Sequence, residues 1–147
     1  MNEQRLTTRL ANYWDKLRGE SPMPIYAQVN PAALDDVWKN CCTLKREPAA
    51  NGQSAYVYLH CGGQIAEALG SDLTGKRMSL NMRMFPGVKI IKRIEEVVHS
   101  AAPLPLQDEG QFVNEKNKII KYRACLLAFG APQAVTHVVV GVSWRAF

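Results

Sequence analysis

The stretch from Tyr56 to Leu80 limits the possible folds more than any other, because a strand, a short helix and two turns must fit within it. Val57, Leu59 and Cys61 alternate with Tyr56, Tyr58 and His60, the period of two expected of a half-buried strand. Gly62 and Gly63 follow, where the backbone carries no Cβ. Ile65, Ala68 and Leu69 then recur at helical spacing across Gln64–Leu69, and Gly70 stands where a left-handed C-terminal cap belongs. Ser71 and Asp72 offer acceptors to the next turn, and Thr74-Gly75 reverses the chain again.

Upstream, Asn2–Arg18 reads as an amphipathic helix with Leu6, Leu10, Tyr13, Trp14 and Leu17 on one stripe. Gly19, Pro22 and Pro24 end it. Asn30 as cap and Pro31 at the first helical position predict a short second helix through Trp38. Cys42–Glu47 and Ala55–Cys61 predict the first two strands. Val88–Ala102 is the clearest helix, its stripe formed by Val88, Ile91, Ile94, Val98 and Ala101. Three strands remain, Leu106–Asn114, Ile119–Phe129 and Val135–Phe147, joined by hairpin-type connections. On the last strand Val138, Val140, Val142 and Trp144 share one face. Val139 and Gly141 make the other face too apolar for bare solvent, and the N-terminal helix is predicted to cover it. The pattern is α+β: residues 1–40 form a helical extension and 41–147 the core, one folded domain in all.

Composition narrows the class. The chain has 147 residues, 47% hydrophobic and 21% charged, ordinary values for a globular protein. No apolar run reaches the roughly 20 residues a membrane helix needs, and the start lacks a signal-type stretch, so a cytoplasmic protein is expected. The net charge of +5 raises the question of an acidic partner. Lysines and arginines are spread in small groups, however, such as Lys45-Arg46, Lys76-Arg77 and Lys116-Lys118-Lys121-Arg123, and nucleic acid is not the expected partner. Cys41, Cys42, Cys61 and Cys125 show neither C-x-x-C nor zinc spacing and read as reduced, partly buried residues.

The Gly70-Ser-Asp-Leu-Thr-Gly-Lys76 core, following its strand and short helix, resembles the start of PAS domains, in particular a bacterial single-domain subfamily. Tyr13-Trp14-Asp15-Lys16-Leu17-Arg18-Gly19 with Pro22-Met23-Pro24, and Asn30-Pro31 with Leu34, are similar to that subfamily's N-terminal element. Departures are Gln28-Val29-Asn30 in place of an acidic run, and Tyr56 and Tyr58 where basic residues are usual. The resemblance implies five antiparallel strands in the order 2-1-5-4-3, helices on one face and the N-terminal helix on the other. It further implies a sensory or regulatory adaptor signalling through protein contacts, a homodimer, and a hollow between sheet and long helix that is packed or holds a small apolar ligand.

The inward positions assigned to that hollow are Val57, Leu59, Cys61, Ile65, Leu69, Ile91, Ile94, Val98, Leu127, Phe129, Val138 and Val140, with no ionisable pair among them and no catalytic residue expected. The partner or dimer surface comprises Leu6, Leu10, Tyr13, Trp14, Leu17, Tyr56, Tyr58 and His60. No cofactor or metal is predicted. His99 is a weak candidate for a haem ligand, since Glu95 four residues earlier engages it in the plainer reading, and the helix Gln64–Leu69 lacks the cysteine of photoactive flavin domains. Two other classes remain open: a small-molecule-binding enzyme of a cone-shaped α+β fold, and a basic nucleic-acid-associated factor.

Overall fold

The computed structural model describes residues 5–48, 54–78, 89–100, 104–113, 116–131 and 134–147, and the side chains of 48, 54 and 89–91 lie outside that description. Helix α1 (Leu6–Arg18) ends at Gly19, and its last turn carries Lys16 and Arg18, charges that suit the negative end of the helix dipole. Its stripe docks as the spacing predicts. Leu10 and Trp14 are fully buried, Leu6, Tyr13 and Leu17 half-buried, and Trp14 Nε1 donates to Ala128 O at 2.7 Å. Two fully buried side chains contribute about 2 kcal/mol each. A helix of 13 residues is marginal alone, so this packing holds it.

The predicted helix over Asn30–Trp38 is instead a 3₁₀ turn, Pro31–Leu34, followed by a second at Trp38–Asn40; another precedes them at Tyr26–Gln28. Asn30 does cap it, accepting from Ala32 N at 3.1 Å. Asp35 and Asp36 then place negative charge where a helix C-terminus disfavours it, and Asp36 turns to Arg9.

The strands are β1 (Cys41–Pro48), β2 (Ser54–Cys61), β3 (Arg77–Met78), β4 (Leu106–Val113), β5 (Ile119–Ala131) and β6 (Ala134–Ala146). With α2 (Gly63–Leu69) and α3 (Lys89–Val98) they make an α+β fold around a curled antiparallel sheet. The expected five strands in the order 2-1-5-4-3 are corrected to six, in the order β3-β2-β1-β6-β5-β4. The addition is β3, paired outside β2 by two residues, too short for any periodicity to announce it.

Gly141 separates the two faces. A Cβ there would fall 2.2 Å from Leu10 Cδ1, so odd positions of β6 face α1 while Val138, Val140 and Val142 face away from it. On β5, Leu127 pairs with Val139 and Phe129 with His137, which puts Leu127 and Phe129 under α1 and the Tyr26 ring, not in the hollow where they were expected. Residues 124–130 of β5 are buried on both faces, so alternation is erased and the sequence could not set the phase.

A register shift corrects β2 in the same way. Cys42 pairs with Cys61, Thr43 with His60, but Leu44 with Tyr58, leaving Leu59 as an extra residue on β2. The bulge turns Leu59 outward, 45% exposed, while Tyr56 (2%) and Tyr58 (1%) point into the core with Leu44. The expected faces of Val57 and Leu59 against Tyr56 and Tyr58 are therefore exchanged, and only Cys61, beyond the bulge, stays inward.

Candidate functional site

The hollow lies between the even-numbered face of β5–β6, the inner side of β1–β2, and helices α2 and α3. Its wall comes from Cys42, Leu44, Tyr58, Leu126, Val138 and Val140, closed by Ile65, Leu73, Ile94 and Val98, all buried. Leu69 is half-buried at the margin, and the side chain of Ile91 lies outside the described residues. Gly70, at φ 83°, caps α2 as predicted, its N–H reaching Ala66 O and Glu67 O. Asp72 Oδ1 accepts from Thr74 N at 2.9 Å and Thr74 Oγ1 at 2.7 Å, and these bonds hold its carboxyl below the ordinary range. Gly62 has ordinary extended backbone; its missing Cβ matters because one would meet Lys39 O at 2.4 Å and Cys41 O at 2.7 Å. That close approach seats the start of α2 against the last 3₁₀ turn.

Three polar features enter this apolar space. The Tyr58 hydroxyl is buried without a hydrogen-bond partner among the described residues, and burial, followed by the nearby Cys42 and Cys61, pushes its phenol above the ordinary range. Tyr56 reaches across from β2 to α3, its hydroxyl donating to Glu95 Oε1 at 3.1 Å, while Glu95 Oε2 lies 2.9 Å from His99 Nε2. Asp108 of β4, with its side chain 7% exposed, sits 3.7 Å from Arg93 Nε. The sequence reading placed no ionisable pair here. The Glu95–His99 contact follows from their i, i+4 spacing, but the tyrosines face inward only because of the bulge, and Asp108 faces α3 through the pairing of β4 with β5.

A family model described as PAS domain matches residues 2–143. The chain belongs to the PAS domain family. No curated protein matches the chain, and no solved structure does. Membership makes this PAS domain a sensory or regulatory module, a class generally not catalytic. Among the described residues no helix is long and apolar enough to cross a membrane.

A haem in the hollow would need an axial ligand, and His99 is the weak candidate for it. That imidazole is 58% exposed in its side chain and engages Glu95, a position that does not suit an axial ligand inside the hollow. Among the described residues no group of three or more His, Cys, Asp or Glu is placed to hold a metal ion.

The opposite face of this PAS domain is divided. Helix α1 covers β5 and β6, consuming Leu10 and Trp14, so those two are unavailable as a partner surface; Tyr56 and Tyr58 are likewise buried. His60 stays on the outer side, stacked on Trp38 with ring centroids 4.7 Å apart, next to exposed Leu59. Tyr26 stacks on His137 at 4.5 Å and its hydroxyl meets Thr43 Oγ1 at 2.9 Å. Burial, then the charge of Lys45, pushes His137 below its ordinary value, so it favours the neutral form. Stability from this group is present above the unfolded value near 6.5 and is lost as pH falls through the folded one. A groove of about 370 Å³ opens at the start of α1, lined by Arg5, Thr8, Gln107, Glu109 and Arg123 among others.

Proposed function

We propose that this PAS domain is a regulatory adaptor that passes its signal to another protein through the outer side of β2. The observation that carries the reading is the bulge at Leu59. It turns a large apolar side chain into solvent beside the Trp38–His60 stack, on a part of the sheet away from the β5–β6 surface packed by α1. An aromatic pair beside an exposed aliphatic residue is the composition of an interface core. Val113, Ile119 and Phe147 form a second exposed set in adjoining strands, and we assign the homodimer contact to it. The basic surface supports nucleic-acid binding less well, because Arg9, Arg18, Arg77, Arg93 and Arg123 each pair with a carboxylate.

Affinity capture with wild-type protein and a Leu59→Glu variant tests this. The variant, mutated at an exposed site, should keep the wild-type unfolding midpoint and lose a protein that the wild type retains. Equal capture by both would refute the outer-face reading.

The Tyr58 hydroxyl favours a second element: a small ligand in the hollow, mostly apolar, with one group able to bond a phenol. Native mass spectrometry of freshly purified protein reports it as added mass that Tyr58→Phe reduces.

A further inference from the structure

Cys42 and Cys61 are brought face to face by the shift that displaces Leu59. They are direct partners across β1 and β2, with Sγ atoms 3.8 Å apart. Gly62 N donates to Cys41 O at 2.8 Å, so ladder bonds flank this pair and do not join it. That is the closer kind of antiparallel pair, with Cα atoms about 4.5 Å apart, inside the range a disulfide spans. A disulfide needs sulfurs about 2.05 Å apart, a distance that side-chain rotation approaches without separating the strands. The other two cysteines are set apart: Cys41 points to the α1 face and donates to Val37 O, and Cys125 lies on β5 opposite Gly141.

We infer that Cys42 and Cys61 form a dithiol couple that a hydroperoxide closes reversibly into a cross-strand disulfide. The inference goes beyond the adaptor reading and stands without it, since it needs only this chain and an oxidant. Cys61, at 7% exposure against 3% for Cys42, is the outer sulfur, and it accepts the Cys42 S–H. Deprotonated Cys61 attacks one peroxide oxygen, the O–O bond breaks, and the departing hydroxide takes up the released proton as water, leaving a sulfenic acid. Cys42 then attacks the Cys61 sulfur, the S–O bond breaks, and a second water leaves with the Cys42 proton. Two thiols are oxidised, and one hydroperoxide is reduced, to two waters when it is hydrogen peroxide. Burial pushes the Cys42 thiol up, and an apolar setting favours small uncharged oxidants over bulky or charged ones.

The test uses the wild-type chain of 147 residues, titrated with hydrogen peroxide, quenched with an alkylating agent and analysed by peptide mass spectrometry. The expected product has lost the mass of two hydrogen atoms, carries a Cys42–Cys61 link assigned by fragment ions, and returns to dithiol with dithiothreitol. Cys41 and Cys125 should remain free thiols. Cys41→Ser should still form the link and Cys61→Ser should not; if a variant fails to fold, the wild-type fragment ions decide alone. The inference is overturned by a folded protein that stays reduced at peroxide levels that oxidise the unfolded chain. It is equally overturned by a link through Cys41 or Cys125, or by oxidation that runs to sulfinic acid without a disulfide.

Discussion

Tyr58 holds a hydroxyl in the hollow with no hydrogen-bond partner among the described residues, and a buried hydroxyl left in that state costs about 1–3 kcal/mol. Replacing it with phenylalanine removes the cost and leaves a gap of one oxygen. In protein freed of any bound small molecule by unfolding and refolding, Tyr58→Phe should therefore raise the urea midpoint, with a gain of about 1 kcal/mol at an unchanged slope. A loss of stability in the freshly purified protein would mean that a molecule retained in the hollow bonds the phenol. Tyr58 also shows where sequence reading fails at this scale. Tyrosine and leucine both suit a strand, so the alternation Tyr-Val-Tyr-Leu-His-Cys has no internal sign telling which set is inside. The inserted Leu59 decides, and a bulge has no composition of its own.

At the level of the element, α1 stands where its sequence said it would, over Val139 and Gly141. The contact is close because residue 141 has no side chain: a Cβ would meet Leu10 Cδ1 at 2.2 Å, Leu6 Cδ2 at 3.2 Å and Cys41 Sγ at 3.3 Å. Leucine ends can move aside for one methyl, but a branched side chain must lift the helix. Gly141→Val should cost about 1–3 kcal/mol, the usual range for overpacking. Amide exchange should speed up along Leu6–Arg18 more than in β5. Unchanged protection of α1 would show that it docks by other contacts. The long helix was legible from its stripe, and Ile94 and Val98 are buried as predicted, but it ends at Val98 and not at Ala102, and the predicted stripe residues Val88 and Ala101 lie outside the described residues. By contrast, the faces of β5 were not legible, because a strand covered by α1 on one side and α3 on the other is apolar throughout.

For the whole molecule, Val113, Ile119 and Phe147 come together only when β4, β5 and β6 are paired, and all three are more than a third exposed. If they join two copies, light scattering coupled to size exclusion should give a dimer mass for the wild type. Ile119→Ser with Phe147→Ser should give a monomer with the same circular dichroism. A dimer surviving both changes would move the contact elsewhere. What the sequence determined by itself was what local periodicity and turn chemistry encode: the α+β order, the N-terminal helix as a lid, the Gly70 cap and the Asp72 turn. Tertiary structure alone decided the facing of β2 and β5 and the meeting of Cys42 with Cys61. Each of these depends on register between segments distant in the chain, and register is a property of pairs, which no single segment carries.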